Sequence, residues 1–247
     1  MTVSSGSGKR SAGAEYVLEH MKMRRRLRSS ITEECAMKLY YAETFNPRKA
    51  CAVAKYLQSP VEYVRVDLAH GEHRQPPYLA LNPNGKVPLL VDGGLRLWEA
   101  DAIMVQLATT AGSDLWPSAP ALQVEALRWL SWNQAHFSRH GGSLYFEHLI
   151  KPMLGLGETD AAAVAEAGKF FRQFAAVLDA HLAGHEWLVG GRLGVADFAV
   201  STPLGWAKEA RLPLDGFEHL ARWHRQLLAL PAWREPFPDA GVVSVVA

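Results

Sequence analysis

The chain has 247 residues, 49% hydrophobic and 21% charged, with a formal net charge of +1, the balance of an ordinary globule of one or two domains with ample core. It holds no apolar run long enough to span a bilayer and no overall basic field of the kind that attracts nucleic acid, so neither partner is expected. Cys35 and Cys51 are too few for a disulfide framework and form no CxxC redox or zinc pair, which points to a reducing, cytoplasmic setting and a site without metal.

The charge is unevenly spread. Residues 1–36 carry seven Lys/Arg and four Asp/Glu, a net of +3 that includes Arg24-Arg25-Arg26-Leu27-Arg28, and the remainder nets −2. Such an arm could meet nucleic acid or an anionic surface, while its glutamates argue against a targeting peptide. The plain reading is a disordered basic extension, or an artefact with Met37 as the true first residue. Met37 to Tyr41 reads as a strand. Asn46-Pro47 reads as a helix cap followed by proline at the first helical position. That helix runs to about Gln58 and buries Ala50, Val53, Ala54 and Leu57, with Cys51 inside it as a small apolar residue. Pro60 stops it and Val61 to Val66 alternates as a second strand, making a βαβ unit with parallel strands.

After a loop from His70 to Pro83, the cluster Asn82-Pro83-Asn84-Gly85 is dense in turn formers. Val87-Pro88 leads into the apolar run Leu89-Leu90-Val91. Asp92-Gly93-Gly94 supplies the positive-φ residues of a tight hairpin, and Leu95 to Trp98 returns. From Ala102 the apolar positions Ile103, Met104 and Leu107 recur at helical spacing. A proline at a strand start gives up a ladder hydrogen bond, for which a cis peptide or an ordinary trans proline at a sheet edge would each account. The first domain, residues 37–111, ends at a linker, residues 112–120, which is rich in Gly and Pro. Residues 121–237 read as helices over Ala121 to Arg139, Gly142 to Leu154, Ala161 to Ala183, Ala196 to Ala210 and Phe217 to Leu230, before a tail over 238–247. Gly194 and Asp197 have the spacing of half a capping box, with Leu193 and Phe198 as its staple, so Asp197 is expected to serve folding.

The stretch Asn82-Pro83-Asn84-Gly85-Lys86-Val87-Pro88, with Glu99 twelve residues after Val87 opening an E-A-x-A-I pattern, resembles the glutathione-binding core of the glutathione S-transferases. The resemblance covers about residues 37–237. It implies an α/β thioredoxin-like N-terminal domain (βαβ-ββα) with a cis Val87-Pro88 bond, followed by an all-α C-terminal domain. Glutathione is then the co-substrate, its peptide laid along the strand edge at Val87, beside Lys86. The basic pair His73-Arg74 of a G-E-H-R pattern would hold the glycyl carboxylate. Glu99 and the backbone of Ala100, at a helix start, would hold the γ-glutamyl end, although Ala100 replaces the serine of the family pattern.

Thr44 lies 29 residues before His73, where phi-like transferases carry a catalytic serine. Thr44, Asn46 and Lys49 are also similar to a T-x-N-x-x-K pattern of bacterial nu-class enzymes. Thr44 and Asn46 are therefore the candidate thiol-activating residues, at a helix N-terminus that favours a thiolate. Trp132 and His136, sharing a face of the first long helix with Trp129, are the candidates for the second-substrate pocket. The resemblance implies a homodimer acting on a small hydrophobic electrophile or a disulfide. The activities it allows are conjugation, glutathione-dependent disulfide reduction, or a non-catalytic binding or scaffold role.

Overall fold

The computed structural model describes residues 37–238; the basic arm and all but the first residue of the tail lie outside the described residues. Strand β1 (Met37–Tyr41) is central in a four-stranded sheet ordered β2 (Val61–Arg65), β1, β3 (Leu89–Asp92), β4 (Leu95–Trp98), and its side chains are buried on both faces. Leu39 and Tyr41 enter one apolar layer and Tyr40 the other, the period-two alternation of a strand. Helix α1 (Phe45–Tyr56) leads to β2 (Val61–Arg65), which runs parallel to β1 with Met37 opposite Val61.

A 3-10 turn (Glu72–Arg74) and the short helix α2 (Pro76–Leu79) carry the chain to β3 (Leu89–Asp92), antiparallel to β1. Gly93, at φ +53°, turns it back into β4 (Leu95–Trp98). The Val87–Pro88 peptide bond is cis. Helix α3 (Ala100–Thr110) buries Ile103, Met104, Leu107 and Ala108 and closes the thioredoxin-like βαβ-ββα unit.

The cap of helix α1 lies two residues before the expected one. Thr44 (φ −130°, ψ 176°) is the cap residue, without a side-chain cap bond, and Asn46 is the second helical residue. Proline is tolerated anywhere in the first turn, where no amide is paired within the helix, so Pro47 does not set the start.

The second half is helical. Helix α4 (Pro120–Trp132) continues through a wide π turn (Asn133–Phe137) into α5 (Ser138–Tyr145), then through another (Phe146–Ile150) into α6 (Lys151–Met153). The expected break between Arg139 and Gly142 is absent. Gly141 is small for a packing reason, since a Cβ there would lie 2.8 Å from the Pro203 Cβ. Helix α7 (Ala161–Ala183) is capped by Asp160, whose carboxylate accepts the N–H groups of Ala162 and Ala163. Helix α8 (Val195–Val200) ends ten residues earlier than expected and passes into a 3-10 segment, Thr202–Trp206. Pro203 has no amide hydrogen to continue an α-helical ladder. Helices α9 (Glu218–Leu228) and α10 (Pro231–Arg234) complete the half.

Two buried charges tie these elements together. Asp197, fully buried, accepts Gly194 N–H at 2.9 Å, Leu188 N–H at 3.0 Å and Trp223 Nε1–H at 2.8 Å. Burial nevertheless pushes its carboxyl up to about 6. On α1, Arg48 lies between the rings of Trp206 and Trp233 and donates to the Trp233 carbonyl at 2.7 Å. Gly205 packs directly beneath its guanidinium, where a Cβ would collide with Arg48 Nε. One hydrophobic core runs through both halves.

Candidate active site

The cation-rich end of the site is built by two loops brought into contact. Tyr78 Oη–H and Asn82 Nδ2–H, both from nearly inaccessible side chains, donate to the Lys86 carbonyl at 2.7 and 2.8 Å. These bonds hold the segment that enters the cis bond. Gly85 (φ +56°) permits the approach, since a Cβ there would stand 3.1 Å from the His73 carbonyl oxygen. Glu72 braces the neighbouring loop by accepting the Asp67 N–H at 2.6 Å. His73, Arg74, Lys86 and Val87 therefore converge.

The imidazole of His73 is held below its ordinary pKa by burial, then by Arg74 and Lys86. It is neutral at neutral pH, and its buried Nδ1 has no partner among the described residues. An orphaned buried nitrogen of this kind costs free energy until something meets it. Val87 is an open edge: neither its N–H nor its C=O has a backbone partner among the described residues.

The opposite end lies across the hairpin. Pairing of Leu89 with Trp98 sets Glu99 beside Pro88. Glu99 is exposed and caps α3 at φ +72°, ψ +115°, a region that costs a non-glycine residue about 1–3 kcal/mol and is often retained at functional sites. Behind it the first amides of α3 form a positive helix end suited to an anion. The methyl group of Ala100 is packed in the core, leaving the residue 4% exposed. With no side-chain donor, Ala100 has its backbone N–H to offer a ligand.

Lys49 Nζ lies 2.6 Å from Asp101 Oδ1, which sets the first turns of α1 and α3 side by side. Thr44, half-buried, and Asn46, exposed, lie at the start of the helix that this pair ties to α3. Neither side chain has a hydrogen-bond partner among the described residues, so both are free to meet a ligand. Glu43, one residue earlier, is engaged by Arg65 Nε at 2.8 and 3.1 Å.

Trp132 and His136 are not part of this constellation. Trp132 stacks on Phe137 and meets Phe174 edge-on, and His136 stacks on Phe174 at 4.5 Å between ring centres. Both therefore face α7 within the helical half. The aromatic surface at the start of α1 is made instead by Phe45, Tyr145 and Trp206, whose ring centres lie 5.2–5.9 Å apart. Phe45 was legible as the neighbour of Thr44; no local signal marks Tyr145 or Trp206. On the other side of Asp101 an open groove of about 600 Å³ runs between α3 and α4, lined in part by Leu97, Val105, Trp116, Leu127 and Leu130.

An extended edge with cationic groups at one end and both polarities at the other can hold an anionic peptide, and a helix N-terminus beside it can hold a thiolate. Comparison with known proteins agrees with that chemistry. The family model for the glutathione S-transferase N-terminal domain matches residues 36–109, and that for the C-terminal domain matches residues 135–231. The chain is 37% identical over 182 residues to glutathione S-transferase 3 of Zea mays, covering 70% of this chain and 80% of that one. It is 34% identical over 194 residues to glutathione S-transferase GstB of Escherichia coli K12, covering 77% and 91%. Among solved structures it is similar to the glutathione-bound theta class glutathione S-transferase of Xanthomonas axonopodis pv. citri, with a TM-score of 0.72, 32% identity and coverage of 83% and 99%. The chain belongs to the glutathione S-transferase family.

Proposed function

We propose that this protein is a glutathione transferase that joins the glutathione thiol to a small hydrophobic electrophile. The observation that carries the reading is the open Val87 edge, flanked by His73, Arg74 and Lys86 at one end and by Glu99 with the first amides of α3 at the other. Glutathione matches both polarities. Its peptide adds to the edge by backbone pairing, its glycyl carboxylate meets the cationic loops, and its γ-glutamyl end meets Glu99 and the Ala100 N–H.

The thiol then lies at the start of α1. A thiol ionises near 8.5 in water, and hydrogen-bond donors with a helix N-terminus lower that value. The Thr44 hydroxyl and the Asn46 amide are the donors, and the proton leaves to solvent. The thiolate attacks the electrophilic carbon. A C–S bond forms and the leaving group departs with its electron pair, while Phe45, Tyr145 and Trp206 hold the apolar substrate away from water.

The exposed Asn46 in the T-x-N-x-x-K arrangement favours a second reading, attack of the same thiolate on a disulfide. A cytoplasmic setting, where glutathione is kept reduced, suits either reaction. Among the described residues no helix is long and apolar enough to cross a membrane. The open apolar groove between α3 and α4 supports a homodimer, with a second copy covering it. Retention and elution on immobilised glutathione, then turnover with an aryl halide and with a disulfide, test the assignment. Retention without either turnover would favour a binding role.

A further inference from the structure

Lys49 is the least accessible charged side chain of the thioredoxin-like half, at 1% exposure, and the partner of its ammonium is Asp101 Oδ1 at 2.6 Å. A buried ion pair is seldom worth more to stability than an apolar pair of the same volume, so its placement asks for another explanation. Asp101 is the second residue of α3, two positions after Glu99 in its left-handed conformation. The other carboxylate oxygen, Oδ2, accepts Gln134 Nε2–H at 3.0 Å. Gln134 belongs to the wide turn that follows α4. One carboxylate is therefore held from α1 on one side and from the helical half on the other, at the corner where the γ-glutamyl end of glutathione is placed. Lys49 is too buried to touch a ligand itself.

We infer that Lys49, Asp101 and Gln134 form a clamp of positioning residues that holds the Glu99–Ala100 corner in its binding geometry and so sets the affinity for the γ-glutamyl group. The inference rests on the glutathione site proposed above. It separates these residues from ordinary structural ones, because the clamp acts through the Glu99–Ala100 corner and leaves the glycyl end at Arg74 untouched.

A double-mutant cycle on glutathione affinity, measured by calorimetry, tests it. Lys49→Met keeps the length of the side chain and removes the charge. It is expected to weaken glutathione by about 10- to 50-fold, the scale of one or two misaligned charge-assisted hydrogen bonds. Combined with Glu99→Gln the further loss should fall below about threefold, since the corner is already disabled; combined with Arg74→Ala it should persist in full. Gln134→Leu alters an exposed side chain and carries the same cycle if Lys49→Met does not fold, with a smaller loss of about 3- to 10-fold. Equal losses in both backgrounds, or no loss in the single variants, would overturn the clamp alone. A wild-type chain that binds no glutathione would overturn the site and the clamp together.

Discussion

His224 gives the sharpest measurable consequence of the way the two halves meet. It lies on α9 with its Nε2 buried and without a partner among the described residues, near the guanidinium of Arg48. Burial, and then the Arg48 charge, lower its pKa from 6.5 to about 4. The unfolded chain therefore binds a proton at this residue that the folded chain refuses. For a depressed histidine the sign follows directly: stability is intact above pH 6.5 and is lost as pH falls from there toward 4. At pH 5.0 the linkage amounts to about 2 kcal/mol, and at pH 7.5 to almost nothing.

His224→Phe removes the titration and the orphaned nitrogen while keeping an aromatic ring. Urea unfolding of both proteins at pH 7.5 and pH 5.0 measures the effect. The gain of the variant over wild type should be about 2 kcal/mol larger at the lower pH, a relative midpoint shift of about 1 M. His73, His140, His148 and His181, also held below their usual range, contribute alike to both proteins and cancel in the difference. A difference between the proteins that is the same at both pH values would refute the burial of His224 against Arg48.

Thr44→Ala or Asn46→Ala should each lower turnover by about 10- to 100-fold, the scale of one or two lost charge-assisted bonds to the thiolate; full activity in both would place thiol activation elsewhere. Asp197→Ala strands the Leu188 and Gly194 N–H groups and the Trp223 indole N–H. A loss of about 3–5 kcal/mol in denaturant unfolding is expected, and a loss below 1 kcal/mol would contradict the buried network. Ala100→Ser restores a hydroxyl at the γ-glutamyl corner and should tighten glutathione by about 5- to 20-fold. Because position 100 is buried, the free protein should melt slightly lower, and calorimetry with and without ligand reads both effects.

The thioredoxin-like half was legible because its signals are local. Period-two strands, the Gly93-Gly94 turn and the turn cluster before Pro88 each act within a few residues, and the family motif named the cis bond that propensity left open. The errors lie where a local signal had two outcomes or a distant partner decided. Thr44 and Asn46 are both competent caps, and Pro47 suits any position of the first turn, so the cap fell two residues away. Gly141-Gly142 resembles a helix end, but Pro203, far along the chain, is what requires the small residue. Trp132 and His136 do share a face; periodicity defines a face without saying which neighbour it meets. Lys49 enters the sequence reading only through the T-x-N-x-x-K pattern, and the tertiary approach of Asp101 is what shows its burial.

The seat of Arg48 on Gly205 links the two halves of the chain sterically. The glycine carries no side chain because the guanidinium occupies the space one would fill, and the guanidinium is in turn fixed by Trp206 and Trp233. Neither position can drift alone: a side chain at 205 evicts Arg48, and a short residue at 48 opens a void beneath two indoles. The two positions are thus sterically coupled across the boundary between the halves, and a chimera that joins one half to that of a distant relative is expected to pack well where residues 48 and 205 are taken as a matched pair.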